Sequence, residues 1–314
     1  MRHSPIVVER SQLIDAPPER VWSLLSSAEA WSLRPASFAF DVTAPAGSRL
    51  RVVLGLGRAG PICGLYAISG EVPGQAVSLH TPGTPPSGRG RLTLSVASQG
   101  RGAQATIMVS SPVTRGNSRA DLTAYWQVQL ETWLGNLRAV IEGQRPWPAT
   151  GMDPALRSAC SPRAPLASPA EVSASALVRA PIDQVWQAIY APESGLLTDP
   201  RHMICAGQVP GTPTRQVGEL QYFVRREDDS RLWASACVVT ELTDQHSALT
   251  ASLTPPHIEV LHLVTPAQQG TQLQLTIRCP ARTAKNRALR RHMTNSIQAD
   301  VDGYKKLIES ADRA

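Results

Sequence analysis

Apolar residues follow two periodicities along this chain, and the two succeed each other in the same order twice. The run IVVERSQLI (Ile6–Ile14) reads as a strand, and after it Val21, Trp22 and Leu25 recur at helical spacing. In the following runs every second residue is apolar. RLRVVLGL places Leu50, Val52, Leu54 and Leu56 on one face, and RLTLSV places Leu92, Leu94 and Val96 likewise. Gly and Pro clusters separate these runs, as between antiparallel hairpin strands. The segment closes on one helical stripe made of Leu122, Trp126, Leu130, Trp133, Leu134, Leu137 and Ile141.

The second half repeats this order. EVSASALVR reads as a strand, Val185, Trp186 and Ile189 as a helical face, and TQLQLTIRC alternates Leu273, Leu275, Ile277 and Cys279. A final stripe of Leu289, Met293, Ile297, Val301, Tyr304 and Ile308 predicts a helix from about Lys285 to Ser310. At 1.5 Å per residue that helix is ~39 Å long. One apolar stripe of that length needs a large sheet to lie against.

The repetition extends to residue identity. LIDAPPERVW (Leu13–Trp22) returns as LVRAPIDQVW (Leu177–Trp186), 164 positions later. Pro17, Pro18 and Pro181 suit the first turn of a helix, where a missing N–H costs nothing. AISGEV around Glu71 resembles VVTELT around Glu241, an offset of 170. GAQATIMV resembles TQLQLTIRC at the same offset, with Gln104, Thr106 and Ile107 on Gln274, Thr276 and Ile277. NLRAVIEG resembles GYKKLIES at 167. A period this long means a duplicated domain, not a solenoid. Between the copies, Gly143–Ala170 holds six prolines and reads as an exposed, semi-extended linker. The expectation is an α+β chain with domains at 1–145 and 171–314 joined by a Pro-rich linker at 146–170. Each domain would be a curved antiparallel sheet wrapped around its long C-terminal helix. The wedge between sheet and helix would form an aliphatic hollow suited to an apolar ligand.

Composition narrows the function classes. The 314 residues are comfortable for two domains, and 42% hydrophobic with 18% charged residues fits a soluble globular protein. The formal net charge is +6, but the basic residues are scattered apart from Arg287, Arg290 and Arg291. Five Tyr and three Phe do not alternate with Lys or Arg as a base-stacking platform requires, so no nucleic-acid partner is expected. Cys63, Cys160, Cys205, Cys237 and Cys279 form no C-x-x-C pair, which removes support for a metal or thioredoxin-like site and suggests reduced thiols. MRHSPIVVERSQL has no apolar signal region, and no run approaches the ~18 apolar residues of a membrane helix. The expectation is a cytoplasmic protein without a membrane span. The sequence leaves its oligomeric state open.

Several stretches carry candidate chemistry. GLGRAG (Gly55–Gly60) matches G-x-G-x-x-G, yet Pro61 and a second strand-like run follow where a dinucleotide site needs a helix, so it reads as a hairpin loop. In HIEVLHLV, His262 shares a strand face with Ile258, Val260 and Val264, which favours the cavity side. There an imidazole could act as acid or base on a carbonyl substrate. A hydrogen-bonded core histidine is the competing role, and His257 with Glu259 offers a surface pair. Tyr222 shares a face with Leu220 and Val224, and its hydroxyl could polarise a bound carbonyl. Trp233 shares a face with Cys237 and Val239 and could stack on a flat ligand. In the first copy Tyr66 is the comparable ligand-contacting candidate, with His80 reading as outward. Trp22 and Trp186 are candidate ligand contacts whose competing role is to anchor the first helix. Arg225, Arg226 and Arg278 read as outward charges. Nothing matches a Ser-His-Asp order, H-E-x-x-H or a P-loop, so any catalysis is expected to need no cofactor and no metal.

A strand, an AP-x-x-x-VW helix (APPERVWSLL and APIDQVWQAI), several antiparallel strands and a long closing helix together resemble the START/Bet v 1-like, or SRPBCC, superfamily, whose fold is called a helix grip. YWQVQLETWLGNLRAVIE is similar to the closing helix of its Aha1-type branch. The second copy is closer to the polyketide cyclase/dehydrase and lipid-transport branch. The tandem is similar in layout to di-domain polyketide aromatase/cyclases. That resemblance implies cofactor-free cyclisation and dehydration of a polyketide-like substrate held in the cavity. The first copy keeps Trp31 where the family has a Trp-containing short helix, whereas the second has ESGLLTDP and no Trp, and no family catalytic residue carries over. A hydrophobic-ligand or lipid carrier is the alternative, and an Aha1-like partner-binding module a further one. The second copy, richer in acid–base groups, is the expected seat of any activity.

Overall fold

The structure is a computed structural model. It describes residues 4–44, 47–57, 60–82, 90–113, 118–146, 151–227, 231–254 and 257–311, without the side chains of 283 and 284. The chain divides into two compact units, residues 1–158 with 227–233, and residues 159–226 with 234–314.

In the first unit β1 (Ile6–Ile14) leads to α1 (Pro18–Leu25) and a 3₁₀ turn at Glu29–Leu33. A meander follows: β2 (Ser37–Thr43), β3 (Arg49–Gly57), β4 (Gly60–Val72), β5 (Ala76–His80), β6 (Arg91–Gln99) and β7 (Gly102–Ser111). The sheet order is β1-β7-β6-β5-β4-β3-β2, so the last strand returns to pair with the first. The closing helix α2 (Arg119–Ile141) lies against β1 and β7. Its first turn is capped by Ser118, whose Oγ accepts from Asp121 N at 2.9 Å. Leu130, Trp133, Leu134, Leu137 and Ile141, all on the expected stripe, are buried in the core. Removing one such buried indole costs about 3–5 kcal/mol.

A short helix, α3 (Pro154–Ala159), follows in the Pro-rich segment. Asp153 Oδ1 accepts from Ala155 N at 2.8 Å, and Met152, Leu156 and Cys160 are buried. The expectation of a semi-extended, exposed linker is corrected here by one helical turn with buried residues. Three apolar residues among prolines suffice to anchor one helical turn. Residues 147–150 of that segment lie outside the described residues.

The second unit repeats the plan with β8 (Ala170–Val178), α4 (Ile182–Tyr190), a 3₁₀ turn at Pro192–Ser194 and α5 (Gly195–Thr198). Its meander is β9 (Met203–Gln208), β10 (Leu220–Arg226), β11 (Leu232–Thr243), β12 (Ser247–Ser252), β13 (Glu259–Ala267) and β14 (Gly270–Cys279). The sheet order is β8-β14-β13-β12-β11-β10-β9. After α6 (Ala281–Ala284), the closing helix α7 (Arg287–Ala311) lies against β8 and β14, with Met293, Ile297, Val301 and Ile308 buried. The chain is therefore α+β, two helix-grip domains in tandem.

The duplication reaches the backbone. The β4–β5 register shifts between Ser69 and Val72, and the β11–β12 register between Val239 and Glu241. Ile14 pairs with Ala103, and Val178 with Thr271. With Ile14 matched to Val178, Thr106 falls on Gln274 and not on Thr276. The match read from the letters is thus displaced by two residues. Alternating strands look alike after a slip of two, since the same side chains keep the same face. Gly57 pairs with Gly60 across β3 and β4, so GLGRAG joins two antiparallel strands. Arg58 and Ala59 of that motif lie outside the described residues.

Candidate functional site

Each unit contains a cavity between sheet and closing helix. The cavity of the second unit, about 210 Å³, is walled by aliphatic side chains including Ile189, Val260, Leu275, Ile277 and Ile297. Its volume exceeds the roughly 150 Å³ that accepts one benzene ring. Set into the apolar wall are His262 from β13, Gln221 and Arg225 from β10, Cys237 from β11, and Asp300 and Tyr304 from α7.

Each polar group arrives by simple periodicity. Ile258, Val260 and His262 alternate along one strand face, and all three line the cavity. Ile297, Asp300 and Tyr304 share one face of α7. Burial holds His262 down to about 4, opposed by a hydrogen bond with the Ala248 backbone, so its imidazole is neutral at neutral pH. Burial raises the Tyr304 hydroxyl, helped by the charge of Asp300 and opposed by Arg225, so it stays a hydrogen-bond donor. Burial likewise raises the Asp300 carboxyl, against the pull of Arg225. The Arg225 guanidinium sits 6.0 Å from the Phe223 ring, and its Nε is buried with no hydrogen-bond partner among the described residues.

Behind this wall lies a buried carboxylate. Glu219, 3% exposed, accepts from the Tyr190 hydroxyl at 2.9 Å, from Gln221 Nε2 at 2.8 Å and from the Arg215 backbone N–H at 2.5 Å. Gln221 Oε1 then faces the Cys237 thiol at 3.8 Å. Burial, with Glu219 nearby, pushes that thiol up to about 12. The network fixes Gln221 and leaves Cys237 a neutral wall group.

The first unit's cavity is smaller, about 110 Å³, and is lined by Trp31, Arg34, Tyr66, Trp126 and Trp133 among others. The closing helix positions the 3₁₀ turn that carries Trp31 and leads into Arg34. Trp133 Nε1 donates to Ala30 O at 2.8 Å, and Asn136 Nδ2 to Leu33 O at 2.7 Å. Burial raises the Tyr66 hydroxyl, with Arg34 opposing.

His262 and Tyr66 therefore line these two cavities, one in each unit, and the other sequence candidates are not part of either lining. Tyr222 is turned to the opposite face of β10, with its ring and hydroxyl against Gly207 and near Glu193. The sequence assigned the apolar Leu220–Tyr222–Val224 face to the cavity. That face is instead the one covered on the far side, and the alternate set Gln221, Phe223 and Arg225 lines the hollow. Arg225, expected to point outward, is corrected by the same inversion, while Arg226 is exposed and Arg278 pairs with Glu171 at 2.9 Å. Trp233 lies on β11 beyond the lining. Trp22 packs against the first core, and Trp186 is in the second core with Nε1 donating to Asp244 at 2.9 Å, and neither is in the lining of these two cavities. Their indoles hold α1 and α4 to the fold. Glu259 is buried, its Oε1 accepting from Leu166 N at 2.7 Å, so the surface pair with His257 does not form. The residues missed from sequence as cavity lining include Arg34, Gln221, Asp300, Tyr304 and the Trp126–Trp133 pair. Trp126 and Trp133 sit two turns apart on one helix face, which was a readable signal.

No group of three or more His, Cys, Asp or Glu side chains that could hold a metal occurs among the described residues. Among the described residues no helix is long and apolar enough to cross a membrane. None of the five cysteines is in a disulfide.

The family model described as "Polyketide cyclase / dehydrase and lipid transport" matches residues 5–142. No curated protein matches the chain. Among solved structures, the chain is similar to the di-domain ARO/CYC StfQ from the steffimycin biosynthetic pathway, at 11% identity and TM-score 0.40, covering 98% of this chain and 100% of that one. It is also similar to the di-domain ARO/CYC BexL from the BE-7585A biosynthetic pathway, at 14% identity and TM-score 0.38, covering 96% and 98%. A single-domain protein from Thermus thermophilus covers 44% of this chain and 99% of its own, at 16% identity and TM-score 0.39. The chain is a tandem of two helix-grip domains, the first of which matches the polyketide cyclase/dehydrase and lipid-transport family.

Proposed function

We propose that the second domain binds a polyketide-like or similar hydrophobic small molecule and promotes its cofactor-free cyclisation and dehydration. The observation that carries this reading is His262: a neutral imidazole on the wall of an apolar cavity that also holds the Tyr304 hydroxyl and the Arg225 guanidinium. The first domain, residues 5–142, matches a cyclase/dehydrase family, and the second domain repeats its strand order, which supports the reaction class.

The chemistry asks little of the protein. A CH₂ flanked by two ketones is acidic enough to yield its proton to a neutral imidazole. The enolate carbon then attacks a second carbonyl carbon of the same molecule, and that oxygen takes a proton as it becomes a hydroxyl. Arg225 and Tyr304 offer donors for the developing oxyanion. Loss of that hydroxyl with an adjacent proton releases water and leaves a conjugated ring. The cavity's shape holds the chain folded, which favours one ring closure over others.

The test is turnover of a short poly-β-ketone thioester, read as loss of one water by mass and gain of aromatic absorbance. The expected result is that His262→Ala slows product formation by about 10²-fold or more while the thioester still binds. Equal turnover by the variant would overturn the assignment. The aliphatic wall would equally suit a carrier, and stoichiometric binding without any product would decide for that reading.

A further inference from the structure

Two arginines flank Trp31, and they differ in one respect. Arg51, 1% exposed, spends its donors on Asp41 and on the Ser26 and Ser27 carbonyls. The Arg34 guanidinium makes no hydrogen bond and no ion pair among the described residues, although the backbone N–H of Arg34 donates to Trp31 O at 3.1 Å. Its guanidinium carbon lies 5.2 Å from the Trp31 ring, 5.4 Å from Trp133 and 5.8 Å from Trp126. Its Nε is buried without a partner, as are the indole Nε1 atoms of Trp31 and Trp126.

Buried polar atoms without partners are rare and call for an explanation. Here three of them line one cavity, and all three are donors. The lining carries Arg34 and Arg91 as its charges and no Asp or Glu. The Tyr66 hydroxyl, also on the wall, is held protonated and adds a fourth donor. Three cation–π contacts hold the guanidinium in place without consuming its N–H donors, which are left for an acceptor. A fixed guanidinium beside indole N–H donors matches a planar, acceptor-only anion. At about 110 Å³ the space is smaller than one benzene ring needs, so it takes a head group and not a ring system.

We propose that the first domain's cavity is a carboxylate-binding site, in which Arg34 and the Trp31 and Trp126 indoles seat the carboxylate of a small monocarboxylic acid whose apolar remainder lies toward the opening. The site is separate from the second domain's proposed chemistry, and neither reading depends on the other.

The test uses the full chain, labelled with ¹⁵N at tryptophan, with benzoate as the probe and benzyl alcohol as its neutral counterpart. Trp31→Phe and Trp126→Phe assign the two indole resonances. Saturable downfield shifts of both indole protons by benzoate are expected, with benzyl alcohol at least tenfold weaker. Arg34→Met should weaken benzoate at least tenfold, with Arg34→Lys intermediate. Absence of shifts up to ~10 mM benzoate, weaker than a millimolar site allows, would overturn the proposal. So would equal responses to the two probes, or unchanged affinity in Arg34→Met. If Arg34→Met does not fold, the comparison of the two probes on the unaltered chain decides.

Discussion

Arg51 grips Asp41 with two parallel hydrogen bonds, Nε to Oδ1 at 2.6 Å and Nη2 to Oδ2 at 2.9 Å. The same guanidinium reaches the Ser26 and Ser27 carbonyls at the end of α1, so one side chain ties β2, β3 and that helix together. Arg51 is buried whereas Asp41 is one-third exposed. Asp41→Ala would strand a buried cation, so a loss of about 3 kcal/mol is expected, with Asp41→Asn milder. Urea denaturation of the two variants checks it.

The sheet closure in each domain predicts a second pair of costs. A side chain on Gly102 would collide with the Ile14 carbonyl, and one on Gly270 with the Val178 carbonyl. Here returning strand meets first strand too closely for a Cβ. Gly102→Ala and Gly270→Ala should each cost about 2 kcal/mol or more. Thermal unfolding is the measurement.

The imidazole of His262 predicts a pH dependence. Its folded pKa of about 4 lies below the ~6.5 of an unfolded histidine, so the unfolded chain takes the proton more readily. Its contribution to stability is complete above pH ~6.5 and is lost as pH falls from there to about 4. His262→Phe should flatten stability over that interval. The His262 imidazole proton resonance should titrate well below the ~6.5 of an unfolded histidine.

Tyr190 and Glu219 supply a fourth test. Tyr190→Phe removes one of three donors from a buried carboxylate and should cost about 1–3 kcal/mol. Because the Gln221 amide hangs on the same carboxylate, ligand affinity in the second cavity should fall as well. Denaturation and ligand titration of one variant read both effects.

The frame of each domain was legible because it is written as periodicity. The stripes on α2 and α7, the Pro-started helices and the returning strands all follow from where apolar residues recur. The cavity contents were less legible. On β10 both alternating sets are mixed, with Tyr222 on one and Phe223 on the other, and hydrophobicity alone chose the wrong face. Arg34 was invisible for another reason: a single arginine after a short turn gives no pattern, and only its packing between the neighbouring Trp31 and the distant Trp126 and Trp133 marks it. His262 was readable because its face, Ile258–Val260–His262, is otherwise purely β-branched.

Each cavity holds a guanidinium with a buried, unsatisfied Nε, yet the two arrive on unrelated elements, Arg34 after a 3₁₀ turn and Arg225 on β10. The duplicated scaffold thus left the placement of charge free to be reinvented. A ligand preference carried by Trp31 and Arg34 with Trp126 of the closing helix can be rewritten at a few wall positions without touching the glycines or paired strands that make the vessel. For engineering, the tandem offers two independently editable chambers in one polypeptide, each retuned by exchanging such wall residues.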